Sequence, residues 1–150
     1  MQPGDVVEDF ELPDQHGVVR RLSEFTAAGP VVLFFYPRAM TSGCTKESCH
    51  FRDLAAEFAA VGAQRVGISA DPVSRQREFS DKHGFDYPLL SDPDRVVAAQ
   101  FGVKRGLPGL PNKRATFVIG ADRRLIDSLS SEFNMDAHAD QALEILRRHG

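Results

Sequence analysis

The 150-residue chain has no apolar run long enough to span a bilayer. Its most apolar stretch, Val31 to Tyr36, falls far short of the ~20 residues a membrane helix needs. Its opening, Met-Gln-Pro-Gly-Asp, has neither the basic start nor the apolar stretch of a secretory signal, so the cytoplasm is the expected compartment. It also has no excess of positive charge: 18 basic residues stand against 21 acidic ones, a net charge of -3. The basic pairs Arg20-Arg21, Arg123-Arg124 and Arg147-Arg148 lie far apart, which gives a nucleic-acid surface little support. No Gly-rich phosphate loop ending in Lys-Ser/Thr occurs, and no His-Glu-x-x-His. Cysteine is scarce. Two residues are too few for a disulfide scaffold, and a chain of this length does not need one. Both nevertheless fall in one short segment, as Cys44 and Cys49.

What is present suits one globular domain over residues 1–150. Apolar residues make up 42% and charged residues 26%, enough to build a core without staples. Phe10 to Val19 reads as a small hairpin around Pro13–Gly17, and Leu22–Phe25 as a helical turn. Val31–Tyr36 is apolar on both faces, as a central parallel strand should be. From about Ser42 to Ala60, Phe51, Leu54, Ala55, Phe58 and Val61 follow helical spacing, with Thr41 or Ser42 as the cap and Gly62 as the stop. Arg65–Ser69 reads as the next buried strand. Asp71-Pro72 then opens a helix towards His83 and Gly84, with Asp as cap and Pro at the first helical position.

Further on, Tyr87–Leu90 is extended, and Asp92-Pro93 opens a short helix through Phe101. Residues 104–113, rich in Gly and Pro, form a loop. Ala115–Ile119 and Leu125–Leu129 make a hairpin. A last helix spans about Asp136 to Arg148, with Ala139, Ala142, Leu143 and Leu146 apolar. Together these give an α/β fold with a mixed sheet and helices on both faces. Sites in such folds lie at the carboxyl ends of the parallel strands, and the loop Pro37–Gly43 is one such place.

The two thiols differ in position. Cys44 stands near the first turn of its helix, where the dipole and unpaired N–H groups favour thiolate, the reactive form. Cys49 lies more than a turn deeper. Five residues along an ideal helix separate their Cα atoms by about 8.7 Å. A disulfide needs roughly 7 Å or less. The helix must therefore unwind in part if the two are to bond. Two unrelated structural cysteines remain an open reading. Zinc is poorly served, since His50 beside Cys49 adds at best a third ligand. The pair is also not a Cys-x-x-Cys, which argues against an ordinary dithiol-exchange enzyme.

The segment Phe35 to Cys49, with Pro37, Thr41 and Cys44 in a Pro-x-x-x-Thr-x-x-Cys pattern and Cys49 five residues on, closely resembles the active-site segment of peroxiredoxins of the bacterioferritin-comigratory, or Q, type. The likeness continues through Phe51-Arg52-Asp53, Gly67-Ile68-Ser69 and Lys113–Ile119, and covers essentially the whole chain. Ser42 stands where many relatives have proline, and Met40 where some have aspartate; neither change removes a reacting group. The resemblance implies a thioredoxin-like fold with an N-terminal hairpin and reduction of hydrogen peroxide and organic hydroperoxides.

It further implies that Cys44 is the peroxidatic nucleophile and becomes a sulfenic acid. Cys49 would resolve it as an intramolecular disulfide, and thioredoxin or a similar small dithiol protein would restore both thiols. Arg114 would bring positive charge to the sulfur, and Thr41 a hydroxyl for sulfur and peroxide beyond any capping role. Pro37 would shape and shield the loop. Backbone N–H groups of Gly43 and Cys44 would steady charge on oxygen. Glu47, one turn after Cys44, either orients an arginine or is a solvated helix residue. Lys46 and His50 read as surface residues. Phe35, Tyr36 and Phe51 are core, and can form an aromatic wall near the sulfur.

No metal, flavin, haem or nucleotide is implied as cofactor, and a monomer is expected. Three other readings stand beside this one. The first is a thiol–disulfide oxidoreductase on the same fold, in which Thr41 and Arg114 have no special task. The second is a binding or structural domain whose Cys44 is no faster with peroxide than an unfolded cysteine. The third is a one-cysteine peroxidase resolved by an external thiol, which replacement of Cys49 with serine separates from the two-cysteine route.

Overall fold

The computed structural model describes residues 1–106 and 111–149. Two short strands, β1 (Glu11–Pro13) and β2 (Val19–Arg21), form the expected N-terminal hairpin, followed by the helical turn α1 (Leu22–Thr26). The main sheet contains β3 (Val31–Phe35), β4 (Gln64–Ser69), β5 (Leu89–Ser91), β6 (Ala115–Ile119) and β7 (Leu125–Ser130) in the order β5-β4-β3-β6-β7. Strands β3, β4 and β5 are parallel, while β6 runs antiparallel to β3 and forms a hairpin with β7. The sheet is therefore mixed, and the arrangement is a thioredoxin-like α/β fold.

Strand β3 is buried over its whole length because both faces of the sheet are covered. Side chains alternate along it. Val32, Phe34 and Tyr36 join one core with Phe51, Phe58, Phe79, Ala139 and Leu143. Val31, Leu33 and Phe35 join the other with Leu22, Phe25, Val97 and Phe101. Helices α2 (Ser42–Asp53), α3 (Ala55–Ala60), α4 (Val73–His83) and α6 (Met135–His149) serve the first core. Helices α1 and α5 (Val96–Gln100) serve the second. No helix among the described residues is long and apolar enough to cross a membrane.

Several local expectations need correction. The single helix expected over 42–60 is two, α2 and α3, joined at Leu54 (φ -96, ψ 21). The carbonyl of Phe51, which a continuous helix would offer to Ala55, accepts instead from Arg65 at 2.8 Å. A side chain inserted into the helical ladder in this way breaks it. Asp71 does not cap α4, and Pro72 sits at the cap position itself. The Asp71 carboxylate is engaged by the Ser69 hydroxyl and the Ala39 N–H, each at 2.7 Å.

Helix α5 begins only at Val96, after a turn at Asp92–Arg95, yet Asp92 still caps it by accepting from the N–H groups of Val97 and Ala98. Gly84, at φ 64, ends α4 in the left-handed conformation that glycine adopts without cost. Of the loop expected over 104–113, residues 107–110 lie outside the described residues.

Candidate active site

Register alone brings the central groups together. Ala115 pairs with Phe35, so Arg114, just before β6, arrives at the sheet end where the chain leaves β3 for the loop 36–41. That loop is fastened to the end of β4 through the Ala39–Asp71–Ser69 hydrogen bonds. Helix α2 starts immediately beyond it, with Thr41 at the cap position and Cys44 in the first turn. The Cys44 side chain is fully buried and belongs to the core containing Phe34, Tyr36 and Phe51. Phe35 faces the opposite side of the sheet, so it is core as expected but no part of a wall beside this sulfur.

Arg114 is the hub. Its Nη2 donates to Cys44 Sγ at 3.3 Å and its Nη1 to Glu47 Oε1 at 2.6 Å. Glu47 lies three residues after Cys44, the helical spacing that places both side chains on one face. It is fully buried, which decides against the solvated-glutamate reading. Burial pushes its carboxyl up to about 8, while Arg114 pulls the other way. Glu132 Oε1 accepts from the backbone N–H of Arg114 and from Arg105, steadying the chain on which the guanidinium sits. Gly43 leaves the guanidinium room: a Cβ there would stand 3.3 Å from both Arg114 Nη2 and the Met135 methyl.

Thr41 contributes the cap residue's extended backbone but no side-chain cap. Its exposed hydroxyl donates to the carbonyl of Arg38 at 2.8 Å. The N–H groups of Gly43 and Cys44 lie in the first turn, where a helix leaves donors without intrahelical partners. Pro37 is half-buried between β3 and this turn. Cys49 is half-buried at the edge of the first core, and burial pushes its thiol up. Both cysteines are free and both lie within the unbroken α2, so the helical separation of their Cα atoms holds in this state. Lys46 is exposed. His50 is half-buried and meets Asp140 of α6 at 2.7 Å.

Two members of the cluster escaped the reading of the sequence. Thr116 and His138 are fully buried, and the Thr116 hydroxyl lies 2.7 Å from His138 Nδ1. The signal for His138 is a polar residue one helical turn before the apolar Ala142, on the face that α6 buries. Chemically, the arrangement places a fully buried sulfur at a helix start under a guanidinium. Such a site places donors on a nucleophilic sulfur and can steady charge developing on an attacked oxygen.

Comparison with known proteins agrees with this chemistry. The AhpC/TSA family pattern matches residues 3–128. The crystal structure of peroxidoxin BcpB from Mycobacterium tuberculosis is 66% identical with a TM-score of 0.95, covering 99% of this chain and 97% of that one. Peroxiredoxin Bcp of Escherichia coli K12 is 35% identical over 154 residues, 99% of this chain and 97% of its own length. A crystal structure of a cysteine-to-serine mutant of Xylella fastidiosa PrxQ is 28% identical with a TM-score of 0.90, covering 99% of this chain and 97% of that one.

Proposed function

Since the chain belongs to the AhpC/TSA family, as a peroxiredoxin of the bacterioferritin-comigratory/Q type and hence a thiol-based peroxidase, we propose that Cys44 is its peroxidatic cysteine and Cys49 its resolving one. The observation that carries the assignment is the 3.3 Å contact between Arg114 Nη2 and the buried Cys44 sulfur at the start of α2. Among the described residues no cation donates a hydrogen bond to Cys49, on which Arg52 acts only through space.

The Cys44 thiolate attacks one oxygen of a hydroperoxide and breaks the O–O bond. The leaving oxygen takes a proton and departs as water or an alcohol, and the sulfur is left as a sulfenic acid. Arg114 holds the attacking sulfur and the oxygen that gains charge. The first-turn N–H groups of Gly43 and Cys44 aid it, and the Thr41 hydroxyl reaches the peroxide once it turns from Arg38. Pro37 covers the approach, and Glu47 orients the guanidinium. The Cys49 thiol then attacks the Cys44 sulfur, the S–S bond forms, and water leaves. A dithiol protein of the thioredoxin type reduces that disulfide by exchange. The substrates are hydrogen peroxide and small organic hydroperoxides.

Peroxide consumption with a thioredoxin-type reductant tests the assignment. Cys44→Ser should abolish it. Cys49→Ser should still consume one equivalent and leave a sulfenic acid that a dione reagent traps. Turnover that survives in Cys44→Ser, or is lost only in Cys49→Ser, overturns the roles.

A further inference from the structure

The loop between β3 and α2 carries a residue in a conformation that its side chain disfavours. Residues 39 and 40 form a turn, and Met40, the second of the two, has a φ of 70. Turns give that place to glycine or asparagine, because a Cβ crowds the backbone in the left-handed region. A methionine stays there only where the surroundings over-determine the chain.

The hold lies one residue upstream. The N–H of Ala39 donates to Asp71 Oδ2 at 2.7 Å. The Ser69 hydroxyl donates to the same oxygen at 2.7 Å, and itself accepts from the Asp71 N–H at 3.2 Å and from Gln76 Nε2 at 3.0 Å. Gln76 accepts in turn from the Tyr36 phenol at 2.5 Å, and gives its other N–H to the Leu90 carbonyl at 2.8 Å. Tyr36 and Ala39 therefore hang from one network, anchored at the end of β4 and on α4. Tyr36, Ala39, Ser69 and Gln76 are buried, so bulk water does not replace a lost partner. On the far side of Met40 stands Thr41, the cap residue of α2, whose hydroxyl donates to the Arg38 carbonyl at 2.8 Å. Arg38 and Thr41 thus close the turn that Ala39 and Met40 make, and Cys44 follows in the first turn of the helix.

We infer that Asp71 is a positioning residue of the peroxidase reaction: by holding the Ala39 N–H it keeps Met40 left-handed, which sets the Thr41 hydroxyl and the start of α2 beside the attacking sulfur. Asp71 acts through the turn and not on the sulfur itself. Without the carboxylate, Met40 relaxes to a negative φ and the Thr41 hydroxyl leaves its place. The inference rests on Cys44 being the sulfur that attacks peroxide.

The test reads the single-turnover rate of Cys44 oxidation by hydrogen peroxide in the full chain. Asp71→Ala should slow it about tenfold, the loss of one hydrogen bond to a charged group. Asp71→Asn keeps an oxygen for Ala39 and Ser69 and should stay within about threefold of the wild type. Glycine takes the left-handed conformation freely, so Met40→Gly added to Asp71→Ala should also return the rate to within about threefold. Met40→Ala loses the same packing but keeps the left-handed penalty, and should rescue nothing. Ser69→Ala removes only the second hold on Oδ2; it should show the same pattern in smaller amplitude, and serves where Asp71→Ala does not fold. Alkylation of Cys44 by iodoacetamide needs no placed hydroxyl and should not slow in Asp71→Ala.

Equal rescue by Met40→Gly and Met40→Ala, or rescue by neither, would take the Met40 conformation out of the reaction and overturn the inference. Alkylation that falls in step with peroxide oxidation would overturn it too, since Asp71 would then act on the sulfur. If instead the wild-type protein shows no fast oxidation of Cys44, the cysteine assignment itself fails, and the two failures are distinguishable.

Discussion

The phenol of Tyr87 donates a 2.7 Å hydrogen bond to the carbonyl oxygen of Ser48, the residue before Cys49. Burial keeps that phenol protonated, and Arg65 covers its ring while holding the carbonyl of Phe51. The second half of α2 is thus tied down from outside, and Phe51 stacks on Phe34 at 4.1 Å. Cys44 and Cys49 can bond only if these turns loosen. Backbone amides over residues 43–50 should therefore lose protection from hydrogen exchange in the disulfide form. Unchanged protection with the bond formed contradicts this.

Removing the tie should favour the loosened state. Tyr87→Phe deletes one buried hydrogen bond, worth about 1 kcal/mol, so disulfide formation after Cys44 oxidation should quicken roughly fivefold. Rapid-quench mass spectrometry measures that step separately from oxidation. An unchanged or slower step would show that the bond to Ser48 does not restrain the helix.

Arg114→Lys should slow the reaction with peroxide roughly ten- to a hundredfold, the loss of one charge-assisted hydrogen bond. An ammonium keeps the charge but not the planar fork that meets Cys44 and Glu47 together. Stopped-flow competition for hydrogen peroxide measures it. Wild-type speed in the lysine variant would mean that charge alone suffices.

Glu47 also leaves a mark on stability. Its carboxyl sits at about 8 in the folded protein, against 4.5 when exposed. The native state then binds this proton more tightly than the unfolded chain does. The stabilising contribution is whole below about 4.5 and is lost as pH rises through about 8. Urea midpoints should fall across that window in the wild type, and Glu47→Gln should lack that part of the fall. Parallel curves for the two proteins would contradict it.

Gly67 gives the platform under α2 its space. A Cβ there would lie 2.9 Å from both Leu89 Cδ2 and Phe34 Cζ. Gly67→Ala should cost about 1–3 kcal/mol by overpacking, measured by denaturant unfolding. No loss would mean that the Phe34 and Leu89 side chains yield freely.

Most of the strands were legible in the sequence because each is a short apolar run bounded by turn residues, and Val31–Tyr36 is the clearest case. Cys44, Arg114 and Glu47 were legible as a motif. Their convergence was not, because it depends on the pairing of Phe35 with Ala115, a register no local pattern displays. The break at Leu54 was hidden for a similar reason: Arg65, which causes it, lies in another strand. Asp71 next to Pro72 carries a cap signature, but tertiary partners took its carboxylate. His138 was hidden as well, because it comes near Glu47 only when α6 packs against α2.

The central claim is that Cys44 reacts and Cys49 resolves. Its most direct test is the intact mass of the reduced protein after rapid mixing with one equivalent of hydrogen peroxide, followed over time beside a free-thiol control. The account predicts rapid loss of two hydrogens, with Cys44 and Cys49 linked in the digest. Oxidation no faster than the control, or a stable oxidised Cys44 with Cys49 untouched, would contradict it.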